Sequence, residues 1–333
     1  MIIVTGGTGL VGGHLLLRLA ESDQPVRVLI RPGGNPRKVL SVWKHYLQNP
    51  EDLLARFDWH DTDLLNRADL YEALEGADYI YHCAAKVSFD SRNKKAMWKT
   101  NVLATKMIVD YCIANTIRKL IYISSVAAVA KSMNGEEAEE KNGWPVNPKS
   151  IYAKTKTLAE HEIWRGIAEG LDAVIVNPSV ILGPGNWDTG SARIVKEISK
   201  GLRFYTNGAT GYVDVRDVAD IILRLMKSNI SGERYILNSA NLAFRDLFER
   251  ISRELNKRPP SVCISPFFTS LLCKAEWIVS RITGKEARMS RETRIAAHSQ
   301  QSYSARKIQT EFDYTFRDIG TTIQHTVSCF LNQ

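Results

Sequence analysis

The stretch Thr5-Gly6-Gly7-Thr8-Gly9-Leu10-Val11-Gly12 decides the fold class of this chain. It follows the short, apolar and β-branched run Ile2–Thr5, and the segment Leu10–Ala20 behind it has the apolar spacing of a helix. This order predicts a buried strand, a glycine-rich turn and a helix. It is the context in which such a turn binds a dinucleotide, although glycines that merely help a strand pack on a helix give the same pattern.

Each glycine of the turn has a separate role in that interpretation. Gly6 would allow the tight turn, Gly9 would let the backbone approach a pyrophosphate, and Gly12 would let the helix pack closely on the strand. Leu10 and Val11 lie at the predicted helix start, where unpaired N–H groups and the helix dipole favour an anion. We therefore predict that these five residues bind the cofactor.

Short apolar runs alternate with helical segments through the first half of the chain. The runs are Val26–Ile30, Asp78–Cys83, Leu120–Ser124 and Ala173–Asn177. Strands that alternate with helices predict βαβ units and a doubly wound parallel sheet. The predicted fold class is therefore α/β of the Rossmann type.

The pattern changes after about residue 180, where strand-like pieces become short and helical segments dominate. We predict a dinucleotide-binding domain at 1–180, with an inserted helical segment at about 36–57. The remainder, 181–333, would be a smaller, mostly helical, substrate-binding lobe, from which part of 211–240 returns to the first domain. The apolar helical stretch Phe267–Ile282 would pack this lobe or line a substrate pocket, and a place on a membrane surface ranks behind both.

Composition narrows the class of protein. The chain has 333 residues, of which 44% are hydrophobic and 24% charged, so it is expected to be globular rather than disordered. Five cysteines show no pairing pattern, there is no leader-like start, and no apolar run reaches the ~20 residues of a membrane helix. We predict a cytoplasmic protein without stable membrane insertion and without a metal site.

The net charge of +8 is concentrated in one part of the chain. Residues 250–310 hold 12 Lys and Arg against 4 Asp and Glu, which equals the whole excess. No run of basic residues, zinc-finger spacing or interleaved basic and aromatic motif accompanies this charge, so we predict no nucleic-acid partner. A solvated helical face is the expected cause of the basicity.

The end of the second predicted strand bears on the choice of cofactor. Sites for NAD place Asp or Glu there to bind the ribose 2′-hydroxyl, whereas an Arg accommodates the 2′-phosphate of NADP. No acidic residue occurs from Val26 to Pro32, and the strand ends at Arg31. We predict NADP as the preferred cofactor, with NAD as the alternative, and with help from Arg37 or Lys38.

A tyrosine and a lysine mark the candidate chemistry. Tyr152 and Lys156 are four residues apart, so they share one face of a predicted helix. A lysine ammonium beside a phenol favours phenolate and lowers the phenol pKa toward the range of a general acid or base. Ser124 and Ser125 follow the strand before this helix, where one hydroxyl could bind a substrate oxygen and the other could cap the strand end.

Taken in order, these motifs resemble the extended short-chain dehydrogenase/reductases, also called the NAD-dependent epimerase/dehydratase family. The resemblance covers nearly the whole chain. It rests on residues 5–12, Asp63-Leu64, His82-Cys83-Ala84-Ala85, Asn101-Val102, Ser124-Ser125, Tyr152 with Lys156, Asn177-Pro178, Gly183-Pro184 and Tyr212–Ala219.

The resemblance implies roles for individual residues. Tyr152 would be the general acid/base, Lys156 its pKa partner and a ribose ligand, and Ser125, rather than Ser124, the ligand of the substrate oxygen. The remaining cofactor contacts would come from Asp63 and Leu64 at the adenine, from Ala84, Ala85 and Lys86 at the cofactor backbone, from Pro178 and Val180 at the nicotinamide, and from Asn101 and Ser124.

Three classes of function fit this resemblance. The first is a carbonyl reductase or alcohol dehydrogenase resembling the dihydroflavonol reductase and 3β-hydroxysteroid dehydrogenase branch; the others are a sugar-nucleotide epimerase or dehydratase, and a non-catalytic dinucleotide-binding protein. Sugar-nucleotide members carry Asn where this chain has Val180, and dehydratases place an acid where Val126 follows the serine. We therefore predict a hydride-transferring oxidoreductase with a small-molecule substrate. The resemblance also implies a homodimer, formed through helices around Asn93–Ala114 and Tyr152–Ile167.

Overall fold

A large parallel sheet organises the structure. The computed structural model describes residues 1–88, 90–132, 135–271, 273 and 291–332. Its strands in chain order are β1 Ile2–Thr5, β2 Val26–Ile30, β3 Asp58–Asp61, β4 Tyr79–His82, β5 Lys119–Ile123, β6 Ala173–Pro178, β7 Val180–Leu182, β8 Phe204–Tyr205, β9 Ala209–Asp214, β10 Glu233–Leu237, β11 Ala240–Ala243 and β12 Val262–Cys263.

The main sheet has seven strands in the order β10-β6-β5-β4-β1-β2-β3, and every neighbouring pair in it is parallel. The strand order reverses between β1 and β4, which are hydrogen-bonded neighbours. At such a reversal the connections leave toward opposite faces of the sheet, and a crevice opens at the carboxyl ends of the strands. The predicted α/β, Rossmann-type fold class is confirmed.

Helices cover both faces of this sheet. They are α1 Leu10–Leu19, α2 Leu40–Trp43, α3 Arg67–Ala73, α4 Lys94–Trp98, α5 Ala104–Ala114, α6 Ile151–Ala168, α7 Ala192–Ser199, α8 Val215–Lys227, α9 Phe244–Glu254, α10 Arg291–Ala297, α11 Arg306–Phe312 and α12 Ile319–Leu331. A π-helical turn, Lys99–Leu103, joins α4 to α5.

Side chains alternate along the strands between two buried layers, as the pleat requires. Val4 and Val28 pack with α1 and α8 on one face, whereas Ile3 and Leu29 pack with α3, α5 and α6 on the other. Because the central strands are buried on both faces, they read in the sequence as continuous apolar runs rather than as alternating ones.

The segment predicted to be helical at about 36–57 forms three short turns instead of one helix. They are the 3-10 turn Pro36–Val39, α2, and the 3-10 turn Asp52–Arg56. Pro50 disfavours helical backbone at the residue before it, which fits the gap between the last two turns. Trp43 anchors the segment, because its buried indole donates a hydrogen bond to the Gly13 carbonyl of α1 at 2.9 Å.

The later part of the chain forms a second core. Strands β11, β9 and β7 make a three-stranded sheet, β12 pairs with β8, and helices α7, α9 and α12 pack together around Leu247 and Ile323. Strand β10 joins the main sheet, and α8 packs on α1. The division into domains at residue 180 stays a prediction. The helix predicted at Phe267–Ile282 lies largely outside the described residues.

Candidate active site

The glycine turn after β1 is shaped by close backbone approaches. Gly6 has φ +72°, and a Cβ there would lie 2.7 Å from the Ala84 nitrogen, beyond β4. A Cβ on Gly12 would lie 2.3 Å from the Gly6 carbonyl oxygen. The turn therefore folds back on the start of α1 and sits against the end of β4, and both positions require glycine.

The start of α1 has the free N–H donors that an anion site would need. Gly9 is the N-cap residue, no side chain caps the helix, and its first turn holds no acidic residue. The first N–H groups of a helix have no partner within it and carry the positive end of its dipole. The predicted contacts at Gly9, Leu10 and Val11 thus fit the pyrophosphate of a dinucleotide.

A second loop of the site follows β4 and is held by Asn101. Its buried amide accepts from the Lys86 nitrogen at 2.7 Å and donates to the Lys86 carbonyl and the Thr155 hydroxyl, each at 3.0 Å. Ala84 donates its N–H to Thr5 at 3.1 Å. Asn101 therefore shapes the Ala84–Lys86 loop from behind, and its own contact with the cofactor stays a prediction.

Lys156 is a buried charged group of the site. Its side chain is 2% exposed, and Nζ donates to the Ile123 carbonyl at 2.7 Å and to the Tyr122 hydroxyl at 3.2 Å, both on β5. Burial lowers the pKa of Lys156 to about 8, so the ammonium is still the main form at pH 7. These bonds fix the register of α6 against the carboxyl end of β5.

Tyr152 lies one turn earlier on α6 and meets Ser125. Burial raises the pKa of the Tyr152 phenol, and a hydrogen bond with Ser125 opposes that shift. The net shift is upward, opposite to the lowering expected from Lys156, because burial of the phenol dominates. Tyr152 accordingly rests as a neutral phenol at physiological pH.

The two serines after β5 divide their roles differently from the prediction. Ser125 caps the 3-10 turn Val126–Ala128 by accepting from the Ala127 nitrogen at 3.2 Å, and it also meets Tyr152. The Ser124 hydroxyl is buried and donates to Glu160 at 2.5 Å. Ser124 thus points into the protein, which counts against its predicted contact with the cofactor.

The sequence interpretation missed Glu160, whose carboxylate is fully buried. It accepts from Ser124 and also from Asn177 at 2.6 Å. The available signal was its place four residues after Lys156 on the same helical face. Such spacing is common on surface helices, so it could not reveal a buried acid.

The other predicted cofactor contacts lie around this centre. Pro178 ends β6, and the half-buried Val180 begins β7. Asp63 and Leu64 follow β3, where Asp63 accepts a hydrogen bond from the Leu65 nitrogen at 3.0 Å. Arg31 is exposed at the end of β2. Because β2 and β3 lie beyond β1 in the sheet, Asp63, Leu64 and Arg31 are on the far side of the glycine turn from Tyr152.

His82 belongs to the scaffold beneath the site. Its ring is buried between the hydroxyls of Thr5 at 2.7 Å and Thr105 at 2.9 Å. Burial lowers the pKa of His82 to about 3, so the ring is neutral at physiological pH and ties β1, β4 and α5 together. Across the described ranges, no three His, Cys, Asp or Glu side chains converge as a metal site would require.

Comparison with known proteins identifies relatives across most of the chain. The model of the "NAD dependent epimerase/dehydratase family" matches residues 2–238. The "Putative dihydroflavonol 4-reductase" of Synechocystis sp. is 33% identical over 259 residues, covering 75% of this chain and 71% of that protein.

Two further relatives are more distant. "Sterol demethylase protein B" of Methylococcus capsulatus is 28% identical over 270 residues, covering 79% of this chain and 77% of that protein. "Cinnamoyl-CoA reductase 1" of Petunia hybrida is 28% identical over 275 residues, covering 79% and 80%.

A solved structure with the same fold is that of the UDP-glucose 4-epimerase of Thermus thermophilus in complex with NAD. It superposes with a TM-score of 0.75 at 20% identity and covers 99% of this chain and 98% of its own. At that identity the likeness concerns the fold.

Two glycine substitutions separate the shape of the turn from access to the ligand. In Gly12→Ala the new Cβ would meet the Gly6 carbonyl oxygen at 2.3 Å and Gly7 Cα at 2.7 Å, both backbone atoms. We expect a lower Tm and an affinity for NADPH and NADH reduced on the order of tenfold or more. In Gly9→Ala the new Cβ meets one atom, at 3.2 Å, and φ −85° suits alanine.

We expect Gly9→Ala to keep its Tm while losing affinity, because the Cβ would stand where the pyrophosphate approaches. Thermal melts and fluorescence titrations with both dinucleotides provide the comparison. Full affinity in Gly9→Ala would show that no ligand approaches this backbone.

Proposed function

The chain belongs to the NAD dependent epimerase/dehydratase family and is an NAD(P)-dependent oxidoreductase. On that premise we propose that it interconverts a carbonyl and a secondary alcohol, with Tyr152 as the general acid/base and Ser125 as the ligand of the substrate oxygen. The observation that carries the proposal is Lys156, a buried ammonium one helical turn from a phenol that itself contacts Ser125.

The protonation states of Tyr152 and Lys156 suit the reduction of a carbonyl. A phenol whose pKa is raised by burial is protonated at rest, so Tyr152 can donate its proton to a carbonyl oxygen that receives a hydride on carbon. Ser125 can donate a hydrogen bond to that same oxygen. The positive charge of Lys156 then favours the phenolate left after proton transfer. A bound nicotinamide would supply the hydride in this direction and accept it in the reverse one.

The alternatives are less well supported. At the position of the diphosphate-binding Asn of sugar-nucleotide members, Val180 offers an apolar side chain that forms no hydrogen bond. The structural neighbours named for sugar-nucleotide enzymes are 15–20% identical, which bears on the fold alone. A non-catalytic binding protein would have no use for a buried ammonium beside a phenol, since burying that charge costs free energy.

The cofactor preference rests on Arg31. Its side chain is exposed at the carboxyl end of β2, and no acid stands between Val26 and Pro32 to receive a ribose 2′-hydroxyl. Arg37, considered as a helper, is ion-paired with Glu51. We propose NADP as the preferred cofactor, with Arg31 as the ligand of the 2′-phosphate.

Two further proposals concern the oligomeric state and the cellular compartment of the protein. We propose a homodimer formed through the helices of 93–114 and 152–167, a region where Trp98 and Leu103 leave large apolar side chains exposed.

We propose the cytoplasm as its compartment, consistent with the thiols of Cys83, Cys112, Cys263 and Cys329, which form no disulfide. In the part of the chain that the structure describes, no helix has the length and apolarity to span a bilayer.

The proposed chemistry is tested by substrate screening with a matched inactive variant. Oxidation of NADPH and NADH is followed against aldehydes, ketosteroids, aromatic ketones and sugar nucleotides. We expect turnover with at least one carbonyl compound, and a loss of kcat on the order of 10²-fold or more in Tyr152→Phe with dinucleotide affinity retained.

Tyr122→Phe serves as the control, since Tyr122 is a buried phenol on β5 that contacts Lys156 but is assigned no proton transfer. The loss of kcat in Tyr122→Phe should be smaller than the loss in Tyr152→Phe. Near-normal turnover in Tyr152→Phe would contradict the assignment, and tight binding of a sugar nucleotide without net cofactor oxidation would favour an epimerase.

Arg31→Asp tests the cofactor assignment. A carboxylate there would accept the 2′-hydroxyl of NADH and repel the 2′-phosphate, so the NADPH-to-NADH ratio of kcat/KM should fall on the order of tenfold or more. Arg37→Asp makes the same charge change at an exposed ion pair and should leave the ratio unaltered. An unchanged ratio in Arg31→Asp would refute the role of Arg31.

A further inference from the structure

Glu160 sits at the centre of a buried hydrogen-bond network behind the active site. Its side chain has no exposed surface, yet every described partner is a donor. One carboxylate oxygen accepts from Ser124 at 2.5 Å and from Asn177 at 2.6 Å. The other accepts from the Trp144 indole at 2.8 Å and lies 3.4 Å from the Arg234 guanidinium. Four donors and no acceptor match an ionised carboxylate.

The first oxygen is connected to the backbone of Ser125. Asn177 donates from the same amide nitrogen to the Ser125 carbonyl at 2.9 Å and to Glu160. Ser124 is the covalent neighbour of Ser125 and reaches the same oxygen. Two short links therefore run from Glu160 to the residue that contacts Tyr152.

The second oxygen is closed off from solvent by Arg234 and Trp144. Arg234, 6% exposed, lies over the Trp144 ring at 5.7 Å and also donates to the Glu140 and Gly143 carbonyls. A buried acid that only filled space would not need a charged partner such as Arg234. A buried ion pair rarely stabilises the fold more than apolar side chains of similar volume would.

Glu160 also contributes to the electrostatic environment of Lys156, which lies four residues earlier on the same face of α6. The groups that face Lys156 are Tyr122 on β5, His82 and Cys83 at the end of β4, and Glu160 on α6, whereas Tyr152 lies one helical turn before it. Burial raises the pKa of Cys83 to about 12, raises the pKa values of both tyrosines, and lowers that of His82 to about 3. Among these described groups, Glu160 is the counter-charge to the ammonium near neutral pH, and it opposes the effect of burial on Lys156.

We propose that Glu160 is a positioning residue for the reaction: it fixes the backbone of Ser125 through Ser124 and Asn177, and its negative charge keeps Lys156 protonated. The inference rests on the proposed function, because it assigns a task within that same site. Glu160 itself is assigned no contact with substrate or cofactor, because its described hydrogen-bond partners are all protein groups.

Glu160→Gln removes the charge and keeps the shape. We expect kcat to fall on the order of tenfold or more, with a much smaller change in substrate KM. Lys156 would lose its proton at lower pH without its counter-charge, so the alkaline limb of the pH profile of kcat/KM should move to lower pH by roughly one unit. Affinity for NADPH and NADH should weaken over the same lower pH range, which is a readout independent of turnover.

Three variants complete the design. Glu160→Asp keeps the charge, so the alkaline limb of its kcat/KM profile should stay near the wild-type position even where its kcat falls. Ser124→Ala loosens the connection to Ser125 and keeps the charge, so kcat should fall while the limb stays. Glu162→Gln alters an acid of the same helix that is paired with Arg165, and it should match wild type. Should Glu160→Gln fail to fold, the Asp and Ala variants still decide, since normal kcat in both would overturn the proposal.

The outcomes separate this inference from the proposed function. If Tyr152→Phe abolishes turnover while Glu160→Gln leaves both the limb and the binding profile in place, the inference is wrong and the function stands. If Tyr152→Phe keeps turnover, the function fails, and the pH dependence of dinucleotide binding still tests the link from Glu160 to Lys156.

Discussion

The site depends on one constraint: the Lys156 ammonium has to be buried at the carboxyl end of β5 and still carry its charge. Its hydrogen bonds to the Ile123 carbonyl and the Tyr122 hydroxyl hold α6 against the strand. With that register set, Tyr152 falls one turn earlier and meets Ser125. Loss of the Lys156 ammonium would remove both the positive charge and the alignment of Tyr152 that acid/base chemistry requires.

The sheet brings the rest of the machinery to the same edge. The carboxyl ends of β1, β4, β5 and β6 are adjacent in the sheet, and they lead into the glycine turn, the Ala84–Lys86 loop, the two serines and Pro178. His82 and Asn101 support this edge from below through buried hydrogen bonds. The strand order thus accounts for the convergence of Gly6 and Pro178, which are 172 positions apart in the chain.

The sequence predicted what local spacing determines, and it failed where distant segments meet. The turn after β1 and the pairing of Tyr152 with Lys156 on one helix depend on neighbouring residues, and both are in the structure. Glu160 could not be singled out, because its ion-pair partner Arg234 is 74 positions away. Likewise, the buried Glu160 decides that Ser124, rather than Ser125, turns inward. The expected net lowering of the Tyr152 pKa was wrong, because burial of the phenol raises it.

The most direct test is a titration of Lys156 itself, by ¹³C NMR of protein labelled at lysine Cε, with Lys156→Met used to assign the resonance. Burial of the ammonium predicts a pKa of about 8, and a resonance that titrates there should be missing from the variant. If every lysine resonance, including that of Lys156, titrates near the ordinary value of about 10.4, the ammonium is not in the buried environment described, and the account of the site is contradicted.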